Sequence, residues 1–144
     1  GALADLAGDS AFWYPSVELL EACSKHQPTW SYRFDYAPRL LQAMKVNATH
    51  GGELLPVFGC FDTDLARLVT VLGGKEGYAR LSEAMQHHWL HFAHHQCPAD
   101  GWPRYDVTDR ATMIFDNEVR VEHDPRGDRR EAWAAVARGM AAGA

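Results

Sequence analysis

Histidine has the widest chemical reach of the residue types in this chain of 144 residues, which holds eight of them. One, His50, stands in the run Ala48-Thr49-His50-Gly51-Gly52-Glu53-Leu54-Leu55-Pro56-Val57-Phe58-Gly59. Two glycines directly after it let the backbone turn sharply and come close to other groups. The imidazole is thereby presented from a loop instead of being packed inside an element. A general base is often offered to a nucleophile in this way. The same spacing also fits a plain turn in which the histidine is incidental.

A second group is His87-His88-Trp89-Leu90-His91-Phe92-Ala93-His94-His95. At helical periodicity all five histidines share one face about 120° wide, roughly opposite Met85, Trp89 and Ala93. The i, i+4 pairs His87/His91 and His91/His95 have the spacing to chelate a divalent metal. No Cys, Asp or Glu joins them on that face, so the plainer expectation is a solvated polar surface.

Two other motifs fail on inspection. His50-Gly51-Gly52 is similar to the oxyanion-hole motif of esterases, but position 53 is Glu instead of a third glycine, and the chain holds no G-x-S-x-G. Gly8-Asp9-Ser10 resembles the nucleophile block of G-D-S lipases, yet no histidine follows an Asp at the spacing those enzymes need. An Asp-Ser pair capping a helix explains that tripeptide without chemistry.

The elements expected around these residues follow from periodicity and punctuation. A helix starts near Ser10 to Pro15, with Val17, Leu20, Cys23 and Ser24 on its inner side, and stops at Pro28. Tyr32, Phe34 and Tyr36 alternate with polar residues, which predicts a strand. Residues 37–49 connect, partly as helix. Asp62 or Thr63 caps a short helix that Gly73-Gly74 ends. Lys75 to Gln96 reads as the longest helix, with Leu81, Met85, Trp89 and Phe92 as its buried stripe. Residues 112–115 and 119–122 form a hairpin turning at Asp116-Asn117. Asp128 caps a last helix with Trp133, Val136 and Met140 inward, and the tail from Ala141 frays. One strand plus a hairpin is a thin sheet, and strand 31–36 lacks a sequence-adjacent partner for its backbone. The chain reads as part of a larger fold.

Composition narrows the function. With 47% hydrophobic residues, 23% charged and a net charge of −5, the chain matches an ordinary globular domain. Scattered acidic charge gives no footprint for a nucleic-acid partner, and no apolar run reaches the ~18–20 residues of a membrane span. Cys23, Cys60 and Cys97, odd in number and without C-x-x-C, predict reduced and mostly buried thiols. With no leader pattern in Gly1-Ala2-Leu3-Ala4-Asp5, they favour a cytoplasmic setting.

Four segments in order then point to a family. They are Gly8-Asp9 to Pro15, Tyr32-Arg33-Phe34-Asp35-Tyr36, the His50-to-Gly59 block, and Trp89, Phe92-Ala93, Pro98, Trp102-Pro103 and Tyr105. Together they resemble the C-terminal part of the type-B carboxylesterases, α/β-hydrolases that include the para-nitrobenzyl esterases and cholinesterases. The third matches "H-G-x-E-L-x-x-V-F-G" and the fourth "W-x-x-F-A … P … W-P-x-Y". The resemblance implies an α/β fold class: residues 1–144 as one C-terminal segment of an α/β-hydrolase, with about three strands (one strand plus an edge hairpin) and about four helices. It implies that His50 is the catalytic histidine, with Glu53 a supporting hydrogen-bond group and Phe58 lining the pocket. The serine, its acidic partner and the oxyanion hole would come from an upstream part, and no cofactor or resident metal is implied. The substrate class would be small-molecule carboxylic esters, and the chain alone would be inactive. Two alternatives stand beside this reading: a self-associating interaction module, or a helical metal-binding protein using His87, His91 and His95.

Overall fold

Ala111-Thr112-Met113-Ile114-Phe115 are all buried, and the reason is their place in the sheet. The computed structural model describes residues 2–46, 48–49 and 51–142. It has β1 (Ser31–Phe34), β2 (Ala111–Phe115) and β3 (Arg120–His123) in the order β1-β2-β3. A central strand covered on both faces loses the polar alternation of a half-exposed one. The expected hairpin is present at the edge of the sheet, with β3 outermost and β2 in the middle. The strand at 31–34 finds its partner in β2, with residues 35–110 between them. The chain divides into two compact units, residues 1–31, 103–112 and 122–144, and residues 32–102 and 113–121.

In the first unit, helix begins earlier than the sequence suggests. α1 (Ala2–Gly8) runs through a π turn (Asp9–Trp13) into α2 (Tyr14–Ser24). Pro15 has no N–H for the carbonyl four residues back, and the widened turn directly before it absorbs that defect. Asp9 caps nothing. It is buried, paired with Arg129, and accepts a bond from Trp133 Nε1 at 3.2 Å. Both partners lie on α7 (Gly127–Ala142), where Trp133 also stacks on Tyr14. Asp128 lies inside the first turn of α7 and is not its cap. Val136 and Met140 are exposed, Met140 by 71%, so the inward side of α7 is carried by Trp133 and the arginines. Arg110 reaches Glu21 at 3.0 Å, and Arg130 grips Asp124 through both guanidinium nitrogens. That fork holds the Asp124 carboxyl below its ordinary range.

The second unit holds α3 (Arg39–Ala43), α4 (Leu54–Phe58), α5 (Asp64–Val69) and α6 (Lys75–His95). Thr63, not Asp62, caps α5 by accepting from Ala66 N–H at 3.2 Å. α3 falls in the connecting stretch 37–49 expected to be partly helical, whereas α4 is too short for periodicity to reveal, so more than about four helices are present. Tyr36, Tyr78, Leu81, Met85, Met113 and Phe115 form the core, with Met85 wholly inaccessible. Leu81 and Met85 are buried as expected. Phe92 is 48% exposed, because it stands one turn from the helix end, beyond the core. Burial pushes the Tyr78 hydroxyl up to about 12. The thiols are free, but Cys60 is exposed and Cys23 and Cys97 are half-buried, not mostly buried as expected. Among the described residues no helix is long and apolar enough to cross a membrane.

α6 starts against Tyr36, whose hydroxyl donates to the Gly74 carbonyl at 2.8 Å. A Cβ on Gly77 would come within 2.7 Å of Tyr36 Cε2, and closer still to its hydroxyl. Alanine gains ~0.8–1.0 kcal/mol over glycine inside a helix, but overpacking a filled site costs ~1–3 kcal/mol. The clash wins. Gly77→Ala is therefore expected to lower the melting temperature, and a rise on thermal unfolding would contradict this packing.

Candidate functional site

His50 lies outside the described residues, so the site is built from its neighbours. Gly51 has φ +80°, a conformation that glycine enters without steric cost. Gly52 N–H donates to the Thr49 carbonyl at 2.9 Å, and a Cβ on Gly52 would sit 3.0 Å from that same oxygen. The two glycines are thus required by the turn itself. Leu54 N–H closes a further bond to Gly51 O at 3.1 Å, leading into α4.

α6 holds α4 in place. Buried Ser82 donates to the Pro56 carbonyl at 2.7 Å, and Gln86 Nε2 to the Val57 carbonyl at 3.3 Å. Pro56 is fully buried, and Gly59 ends α4 in the left-handed region. Glu53, half-buried, stands at the N-terminus of α4. Burial, and then the charge of Glu53, hold the Tyr32 hydroxyl above its usual range. Tyr32 packs edge-on against Trp89, Trp102 and Phe115, with ring centres 5.2, 6.1 and 6.0 Å away. Phe58 is 69% exposed on α4. Sequence reasoning missed Ser82 and Gln86, since nothing local marks a side chain that bonds to a backbone carbonyl 26 or 29 residues away.

The histidine face differs from expectation at one position. His88 is buried at 8% exposure, edge-on to Trp102 at 5.1 Å and near Phe115 at 6.2 Å, and its Nδ1 has no hydrogen-bond partner. It lies at one rim of the 120° arc, next to the apolar stripe, and the core takes it. His87, His94 and His95 are exposed and His91 is half-buried. Among the described residues no group of three or more His, Cys, Asp or Glu side chains is placed to hold a metal ion. His87, His91 and His95 therefore do not converge as a three-ligand set. A cleft of about 560 Å³ lies elsewhere in the second unit, lined by Tyr36, Arg39, Lys75 and Arg80 among others, without Glu53 or Phe58.

This fold has solved counterparts among α/β-hydrolase esterases. A PNB esterase structure matches with a TM-score of 0.78 at 32% identity, over 88% of this chain and 26% of that one. A thermophilic PNB esterase gives 0.74 at 33% identity, with the same coverage. In sequence, the para-nitrobenzyl esterase of Bacillus subtilis (strain 168) is 36% identical over 126 residues, covering 85% of this chain and 25% of the relative. Carboxylesterase 1D of Rattus norvegicus is 34% identical over 111 residues, 71% of this chain and 18% of the relative. The profile of the carboxylesterase family matches residues 1–133, and this chain belongs to that family. It spans about a quarter of the length of the para-nitrobenzyl esterase.

Burial, and then the charges of His87 and His91, hold the His88 imidazole below its ordinary value of 6.5. The folded state then takes up fewer protons than the unfolded state below that value, so stability falls as pH drops through it. His88→Leu removes both the proton uptake and the orphaned Nδ1. Urea unfolding at about pH 7.5 and about pH 5.5 is expected to show a smaller loss in the variant than in the parent. Equal losses would mean that His88 does not titrate differently on folding.

Proposed function

We propose that this chain is the C-terminal portion of a serine carboxylesterase domain and that His50 is its general base and acid. The observation that supports the reading is the family match over residues 1–133; the role of His50 follows from the resemblance of its block to "H-G-x-E-L-x-x-V-F-G". In this role His50 takes the proton from a serine hydroxyl as that oxygen attacks the ester carbonyl. It then returns the proton to the alkoxide that leaves, and repeats the exchange with water to release the acid. The serine, the acidic partner and the oxyanion donors come from the remainder of the protein, since the sequence has no G-x-S-x-G elbow. Glu53 supports the turn by hydrogen bonding, and Phe58 contributes apolar surface to the pocket. The substrates are carboxylic esters with small or medium apolar groups, hydrolysed without a cofactor. The chain alone is inactive, because a base without a nucleophile cannot form an acyl-enzyme.

Hydrolysis of a short-chain p-nitrophenyl ester tests both halves. The isolated chain is expected to show no turnover above buffer. In the complete enzyme, His50→Ala is expected to lower kcat/KM by roughly 10⁶-fold, mostly through kcat. Turnover by the isolated chain, or an indifferent His50→Ala in the complete enzyme, would overturn the assignment.

A further inference from the structure

The histidine face of α6 holds one pair whose geometry differs from the rest. His91 and His95, one helical turn apart, have ring centres 4.3 Å apart and planes inclined at 38°. His87/His88 and His94/His95 stand wider, at 5.7 and 6.3 Å. A metal bound ~2.0–2.1 Å from an imidazole nitrogen lies roughly 3.2 Å from the ring centre, so two rings held at a right angle have centres about 4.5 Å apart. The His91/His95 spacing is compatible with two adjacent ligands on one ion.

A second observation concerns the far side of His91. α6 ends at His95, and Gln96 adopts φ +60° while its N–H donates to the Phe92 carbonyl at 2.8 Å. That left-handed residue folds the chain back, and the Cys97 carbonyl comes to 2.8 Å from His91 Nδ1. A carbonyl only accepts, so Nδ1 carries the hydrogen. The lone pair then belongs to Nε2. Metal-binding histidines are oriented in this manner, with the non-ligating N–H fixed on a carbonyl or carboxylate. His91 is half-buried and His95 exposed, so an ion reaches the pair from solvent.

We propose that His91 Nε2 and His95 form a two-point chelate for a late first-row divalent cation, Cu²⁺, Ni²⁺ or Zn²⁺, with water filling the remaining positions. Imidazole suits these ions and does not suit Mg²⁺, which prefers oxygen. Among the described residues no side chain adds a third ligand, so the site is one of moderate affinity that braces the last turn of α6. It is independent of ester hydrolysis and does not rely on His50.

The test is isothermal titration calorimetry of the tag-free protein with NiCl₂, ZnCl₂ and MgCl₂, with thermal unfolding in parallel. One Ni²⁺ or Zn²⁺ per chain is expected, with a raised melting temperature and no response to Mg²⁺. Loss of an orienting partner alone costs ~10–100-fold in metal affinity. Removing a ligand by His91→Ala or by His95→Ala is expected to cost at least as much. His87→Ala and His94→Ala are expected to leave binding unchanged. His95 is exposed, so His95→Ala is decisive even if His91→Ala disturbs the helix end, and circular dichroism reports on that. No heat with the parent protein, retained binding in His95→Ala, or equal losses in His94→Ala would overturn the proposal.

Discussion

One hydroxyl–carbonyl bond fixes the block that follows His50. α4 is five residues long, and Gly59 breaks it in the left-handed region, so its last carbonyls cannot all be met along the helix. The buried Pro56 carbonyl receives only a long bond from the Gly59 N–H, at 3.3 Å, along the chain, and an under-satisfied buried acceptor costs up to ~1–3 kcal/mol. Buried Ser82 supplies the donor, and Gln86, one turn further along α6, serves Val57. A block too short to hold itself thereby inherits the rigidity of a 21-residue helix. The same helix is seated on Tyr36 at one end and carries Leu81 and Met85 into the core. Its position is therefore shared by the core and by the turn that bears the candidate base.

What the sequence revealed depended on the range of the forces involved. The stripe of Leu81 and Met85, the cap at Thr63 and the turn after β2 are set by neighbours a few residues away, and each was legible. Asp9 was misread because a capping aspartate and an internal ion-pair partner look alike locally. Its partners Arg129 and Trp133 are about 120 residues away. The pairing of β2 with β1 was not legible, because residues 35–110 separate the two strands. His88 was assigned to the polar face from its angle alone, whereas Trp102 and Phe115, from elsewhere in the chain, close over it.

The candidate site was legible in another sense. The types and spacing of Gly51 and Gly52 expressed a turn, and the backbone around the two glycines favours such residues. The neighbours that hold the turn were not legible, since Ser82 and Gln86 are ordinary polar residues of a helix. Their function is visible only in which carbonyl each one meets.

The pairing of β1 with β2 has a consequence for biosynthesis. Residues 35–110 must leave the ribosome before the chain can present β2 to β1. Closing a loop of that length costs roughly 4 kcal/mol in chain entropy, and at ≈5–20 residues per second the wait is several seconds. During that interval β1 lacks its β2 partner, while α6, whose contacts along its own length are local, can already form. The pairing of β1 with β2 is therefore a late event in the life of the chain.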